Sequence, residues 1–159
     1  MTADWLGIMD QSLSDHSQQV MKLAWDESAR LLHEYIGTEH ILLGLASDSE
    51  SWVAELLKSM GASLDRIRSE VEAIIGTGMP GGSPDELGLS QRATRVIEFA
   101  REEAKRLGSK LAGPEHLLLG ICHEVNSTAA QVLCDLRVSP DSLQKIVWKR
   151  LNRGEEVVI

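Results

Sequence analysis

Gly37-Thr38-Glu39-His40-Ile41-Leu42-Leu43-Gly44-Leu45 is written a second time as Gly113-Pro114-Glu115-His116-Leu117-Leu118-Leu119-Gly120-Ile121, 76 positions further along the chain. The same offset, with no gap, aligns Ser14 with Ser90, Val20 with Val96, Ala24 with Ala100, Arg30 with Arg106, Leu57 with Leu133 and Asp65 with Asp141. A single motif match can be chance, but a register held through the whole length marks a duplicated module.

Apolar residues recur at spacings of three and four, and no stretch alternates with period two over the length of a strand, so the chain reads as all-α. In the first copy Val20, Leu23, Ala24 and Leu31 share a face of a helix that opens after Ser14, whose short side chain can accept a bond from a free first-turn amide. Ser90 opens its twin, with Val96, Phe99, Ala100 and Leu107 inward. A second helix begins at Thr38 or Pro114, residues suited to a first turn, and holds Gly44 or Gly120 in its interior. Glycine there costs about 1 kcal/mol relative to alanine, so its presence twice predicts a close helix crossing. The third helix carries Val53, Leu56, Leu57 and Met60, mirrored by Ala129, Val132, Leu133 and Leu136. A fourth follows Ser63 or Ser139, with Leu64, Ile67, Val71 and Ile74 matched by Leu143, Ile146, Val147 and Leu151.

Gly76-Thr77-Gly78-Met79-Pro80-Gly81-Gly82-Ser83-Pro84 separates the copies, and its glycines and prolines cannot continue a helix. The expected architecture is eight helices in two pseudo-symmetric four-helix repeats packed as one domain, because each repeat alone would be a marginal unit of about 65 residues. Its parts are an extension at 1–13, repeats at 14–75 and 90–152, a linker at 76–89 and a tail at 153–159. Trp5, Leu6, Ile8 and Met9 of the extension are expected to cap the core.

At 159 residues and 43% hydrophobic content the chain can bury such a core. Its 24 acidic against 16 basic residues leave a formal charge of −8, which repels phosphate backbones and anionic lipid, so nucleic acid and membrane are not expected partners. No apolar run approaches the roughly 20 residues of a membrane span, and Met1-Thr2-Ala3-Asp4-Trp5 lacks the character of a signal peptide. Cytoplasmic residence follows by default. Cys122 and Cys134, at apolar helical positions, read as reduced and buried thiols.

The twin Gly-[Thr/Pro]-Glu-His-[Ile/Leu]-Leu-Leu-Gly motifs, in register with twin four-helix patterns, resemble the Clp N-terminal domain, that of ClpC-type unfoldases above all. The resemblance runs from about Leu13 to Leu151. It implies an eight-helix receptor for substrates and adaptors, carried in that family on ATPase rings that feed a protease. No Gly-x-x-x-x-Gly-Lys-[Ser/Thr] phosphate loop occurs in this sequence, so ATP hydrolysis by that route is not expected of it. Some ClpC-like domains also recognise phosphorylated arginine through the motif glutamate and the start of the first helix. Carried to this chain, the resemblance makes Glu39 and Glu115 the carboxylates and the amides and hydroxyls following Ser14 and Ser90 the anion holes, one pocket per repeat. Related domains often place a basic residue a turn into the first helix, where this chain has Gln18 and Thr94. Arg92 and Arg95 are the substitutes in the second copy and His16 in the first, so the second site is expected to be the better equipped for phosphate.

Plainer readings stand beside these. Glu39 and Glu115 can be first-turn acids that complement the positive end of a helix. His40 and His116 lack a second histidine four residues on, so they read as helix-start packing residues rather than zinc ligands. A small hydrolase is disfavoured because the sequence has no nucleophile elbow and no nucleophile–base pair. The sequence therefore points to a non-catalytic binding module without cofactor or metal, whose partners are proteins: tagged clients, adaptors, or Clp unfoldase or protease subunits. It is read as a stand-alone adaptor or decoy, with an accessory subunit on the protease core and the N-domain of a longer ATPase as alternatives.

Overall fold

The computed structural model describes residues 12–78 and 88–158, and therefore leaves the expected extension with Trp5, Leu6, Ile8 and Met9, and most of the expected linker, outside the described residues. Within them the chain forms α1 (Asp15–Arg30), α2 (Thr38–Ser47), α3 (Trp52–Ser59), α4 (Leu64–Ile75), α5 (Gln91–Arg106), α6 (Pro114–His123), α7 (Thr128–Asp135) and α8 (Pro140–Val158). The only extended pairing among these residues is two isolated bridges. The all-α, two-repeat expectation holds, although α8 runs on through the stretch expected to be a tail.

Serine begins most of these helices. The hydroxyls of Ser14, Ser51, Ser63, Ser90 and Ser127 accept amides of the first turns of α1, α3, α4, α5 and α7, and Ser139 does the same before α8. Each such cap satisfies one of the amides a helix start leaves unpaired. The turns after α1 and α3, and their twins, also share a left-handed residue: Leu32 and Gly108 at one twin pair, Gly61 and Arg137 at the other. The duplication has thus kept the turn geometry even where glycine was not kept.

The centre of the domain is the pair α2 and α6. Nearly every residue from Thr38 to Leu45, and from Pro114 to Cys122, is buried, as expected of a helix that is apolar all round and lies inside other elements. The other helices bury one stripe: Val20, Met21 and Ala24 of α1, Val96, Ile97 and Ala100 of α5, Ile67 and Val71 of α4, Leu143 and Val147 of α8. Ile146, expected to face inward, is 39% exposed. Gly44 sits where a Cβ would meet the Val20 carbonyl, and Gly120 where it would meet the Val96 carbonyl. The expected close crossings are therefore real, α1 on α2 and α5 on α6.

One buried charge ties the first repeat together. Glu27 accepts two bonds of 2.9 Å from Arg68 of α4 and longer ones from Arg30 of its own helix. Burial alone would raise this carboxyl, but the two guanidiniums outweigh burial and hold it below the usual carboxylate range. The twin Glu103 pairs with Arg106, at 2.6 and 2.9 Å, and Gln144 stands at the twin position of Arg68. Cys122 is buried, which pushes its thiol up to about 12, whereas Cys134 is exposed. That corrects the expectation of two buried thiols: the apolar spacing of α7 places Cys134 at the edge of its buried stripe.

Candidate functional site

The two repeats join by exchanging partners. Leu13 bridges to Ala112 and Ile36 to Leu89, which is one contact repeated by the duplication. Ser14 N–H donates to the Ala112 carbonyl at 3.0 Å, and Ser90 N–H donates to the Ile36 carbonyl at 2.9 Å. The Ser17 hydroxyl adds a buried 2.7 Å bond to the same Ala112 carbonyl. Each motif helix begins two residues after its bridge residue, so the start of α6, with Glu115, lies beside the start of α1, and the start of α2, with Glu39, beside the start of α5. The expected pockets paired Glu39 with Ser14 and Glu115 with Ser90 inside one repeat; the backbone brings the opposite pairs together. Arg92 and Arg95 consequently share a helix start with Glu39, not with Glu115.

Thr38 reinforces this join. Its hydroxyl accepts the buried Ala129 N–H at 3.1 Å, so a residue of repeat one caps α7 of repeat two. Pro114 cannot return the favour, and Ser51 serves the corresponding Val53 amide locally. Replacing Thr38 by valine keeps the shape and leaves that amide unpaired. The expected cost is about 1 kcal/mol, read as a lowered midpoint in urea with an unchanged slope.

Both motif histidines act on the backbone. The Nδ1 atoms of His40 and His116 accept the N–H groups of Gly37 and Gly113 at 2.8 and 2.9 Å, which is half of a capping box with imidazole in the usual glutamate role. The first repeat extends this bond into a chain. His40 Nε2 lies 2.8 Å from His33 Nδ1, and His33 Nε2 lies 2.9 Å from the Gly76 carbonyl. Since Gly37 can only donate and Gly76 can only accept, the tautomers are fixed: His40 carries its proton on Nε2 and gives it to His33, which gives its own to Gly76. Burial, helped by the neighbouring His33, pushes His40 down to about 3. His116 is lowered as well by burial, against the pull of Glu115 and Glu103, and its twin partner position is Ser109 rather than histidine.

The two acids differ. Both curl back so that a Cβ on the preceding N-cap glycine, Gly37 or Gly113, would collide with the carboxylate. Glu39 is 3% exposed and accepts the Tyr35 hydroxyl at 3.1 Å. Burial raises its carboxyl despite bonds from its own amide, Tyr35 and Thr38. The Tyr35 phenol rises to about 12 through its own burial and the carboxylate beside it. The Glu115 side chain is 21% exposed, with Oε1 3.5 Å from His116 Nδ1. That nitrogen already accepts from Gly113, so the contact is proximity and not a hydrogen bond.

The remaining expected ligands are committed elsewhere or stand apart. Ser14 and Ser90 spend their hydroxyls on Ser17 and Ala93 amides. Arg92 pairs with Glu124 at 3.5 Å, and its twin His16 pairs with Asp48, the same tie between a first helix and the end of the second in both copies. Arg95 is exposed on α5. Tyr35 and His33 went unnoticed in the sequence. They were findable, because the copies differ there, with Leu111 and Ser109 in the second, immediately before an otherwise repeated motif. Among the described residues no group of three or more His, Cys, Asp or Glu can hold a metal, and no helix is long and apolar enough to cross a membrane.

Fold and site together define a duplicated all-helical domain whose polar groups cap, bridge and present charge. The chain belongs to the Clp repeat (R) N-terminal domain family, whose pattern matches residues 12–136 and again 100–158. It is 40% identical over 149 residues to a chloroplastic chaperone protein ClpC1 of Arabidopsis thaliana, covering 94% of this chain and 16% of the relative. A probable ATP-dependent Clp protease ATP-binding subunit of Chlamydia pneumoniae is also 40% identical, over 90% of this chain and 17% of the relative. The chain thus spans about a sixth of the length of these relatives. In fold it matches the N-terminal domain of the chaperone ClpD from Arabidopsis thaliana, with a TM-score of 0.70 at 20% identity over 89% of this chain and 96% of that one. The N-domain of ClpV from Vibrio cholerae matches at a TM-score of 0.68 and 16% identity, over 92% of this chain and 89% of that one.

Proposed function

We propose that this chain is a non-catalytic receptor module that engages protein clients or adaptors of a Clp unfoldase and protease system, including segments tagged by phosphoarginine. The observation that carries the reading is the reciprocal exchange at the bridges, which brings the start of each motif helix beside the first-helix start of the other repeat. A phosphorylated guanidinium offers N–H donors next to a dianion, and its receptor needs an acid beside an electropositive helix end. Glu115 with the start of α1, and Glu39 with the start of α5, are the two places where this chain assembles those parts. Cytoplasmic residence belongs to the same proposal.

Calorimetric titration of the full chain with phosphoarginine tests it. Binding is expected, and Glu115→Gln is expected to weaken it by about 10-fold or more, the loss of a charge-assisted bond. Absence of heat at millimolar ligand overturns the phosphoarginine part of the reading. Co-purification with the protease core that survives loss of both glutamates would instead support an accessory subunit.

A further inference from the structure

Duplication makes two motif acids, yet their surroundings are unlike. Glu39 is buried and its carboxylate takes the Tyr35 hydroxyl at 3.1 Å. The Tyr35 ring is itself wedged, stacked on His33 with centroids 5.8 Å apart and edge-on to His40 at 5.4 Å. His33 and His40 are held in turn by bonds to Gly76 and Gly37. Tyr35 is therefore fixed over the acid by two rings that cannot turn without breaking backbone bonds. In the second repeat two members of this lock are replaced while the histidine twin His116 remains: Leu111 stands for Tyr35, turned 43% to solvent, and Ser109 for His33, its hydroxyl spent on the Leu111 carbonyl. Among the described residues no such ring covers Glu115, whose side chain keeps 21% of its surface.

We infer that the module has one working acid: Glu115 receives the ligand, while Tyr35, braced by His33 and His40, latches Glu39 shut as an internal cap of α2. The inference rests on the receptor reading above and gives it a stoichiometry and a ligand class, a single guanidinium-bearing side chain at the start of α6, phosphorylated or plain. A buried carboxylate that already takes a phenol, its own helix amide and the Thr38 hydroxyl has little left to offer an incoming N–H. Opening it costs the desolvated phenol its partner.

Two measurements on the full chain separate the failure of this inference from failure of the receptor reading. Carbodiimide labelling of carboxyls with glycine ethyl ester, read residue by residue by mass spectrometry, needs no ligand. Glu115 is expected to label several times faster than Glu39, and Tyr35→Leu, which copies Leu111, to bring Glu39 up to the Glu115 rate; equal labelling in the unaltered chain overturns the latch. Should Tyr35→Leu unfold, Tyr35→Phe removes only the hydroxyl and is expected to raise Glu39 labelling in part. Titration with phosphoarginine and with arginine methyl ester then counts sites. One equivalent, abolished by Glu115→Gln, is the expected result with whichever probe binds. Two equivalents overturn the single-site inference and leave the receptor reading standing, whereas no binding of either probe removes the guanidinium receptor itself, with labelling still deciding the latch.

Discussion

Gly44→Ala is expected to destabilise the domain by about 2 to 3 kcal/mol, the range of overpacked cores, although helix propensity alone assigns the same change a gain of about 1 kcal/mol. The two effects have opposite sign, and the geometry decides between them. An added Cβ would collide with the Val20 carbonyl and stand 3.0 Å from the Ala24 amide and 3.3 Å from the Val20 side chain. The first two are backbone of a packed helix and cannot swing aside, so α1 must lift from α2 along the whole crossing. On the two helices of that crossing Val20, Met21 and Ala24, and Ile41, Leu42 and Leu45, are all buried. At Gly120 the obstacle is again a carbonyl, that of Val96, and Gly120→Ala is expected to cost a similar amount. Equilibrium urea unfolding checks both. A stability equal to or above that of the unaltered chain would mean the crossing has slack and that propensity rules. Gly108 is the control: it lies at φ 83° with open space around it, so alanine there meets backbone strain but no collision.

Those glycines also mark how far the sequence could be read. Helix identity, the serine caps and the tight crossings were legible because each is a local pattern: spacing of Val20, Ala24 and Leu31, a short hydroxyl ahead of each apolar run, glycine inside a helix that had no propensity reason for it. The exchange of partners between repeats was not legible, and the reason is formal as well as physical. A duplication in perfect register looks the same whether Ser14 meets Ala112 or Ile36, since the offset that relates the copies also relates the two pairings. Contacts between the repeats select the crossed one, such as that from Ser17 to Ala112, which spans 95 residues. The candidate ligands suffered accordingly: Glu39, Glu115, Ser14, Ser90, Arg92 and Arg95 were chosen as residue types with sound chemistry and grouped in the wrong pairs. Thr38 shows the same limit: its hydroxyl reaches across to cap α7, a partner 91 residues away that no local pattern announces.

Acid is expected to unfold the first repeat through its histidines before its carboxylates titrate. His40 is fully buried and held down to about 3, against 6.5 for the free side chain. A group whose folded value is depressed and whose neutral form is buried leaves the unfolded chain binding more protons at every pH between the two, so stability rises with pH there. Its contribution is complete above the unfolded value and is lost as pH falls from 6.5 toward 3. Between pH 8 and pH 5 the loss amounts to about 2 kcal/mol. The bond chain states the same result in atoms: a proton added at His40 Nδ1 faces the Gly37 N–H, a donor opposed to a donor. His116, lowered by burial, works in the same direction. Glu39 works against it, because its raised carboxyl takes up a proton in the folded chain first and so relieves the fold as pH drops. Glu27, held low by Arg68 and Arg30, gives stability that is present above the ordinary carboxylate value and lost only at lower pH. Across pH 8 to 5 the comparison of the unaltered chain with a His40 variant separates this imidazole from Glu39 and Glu27. Urea midpoints across that range should fall steadily in the unaltered chain and more gently in His40→Gln, which starts less stable but has no ring to protonate. Parallel lines for the two proteins would show that the His40–His33 chain carries none of the acid sensitivity.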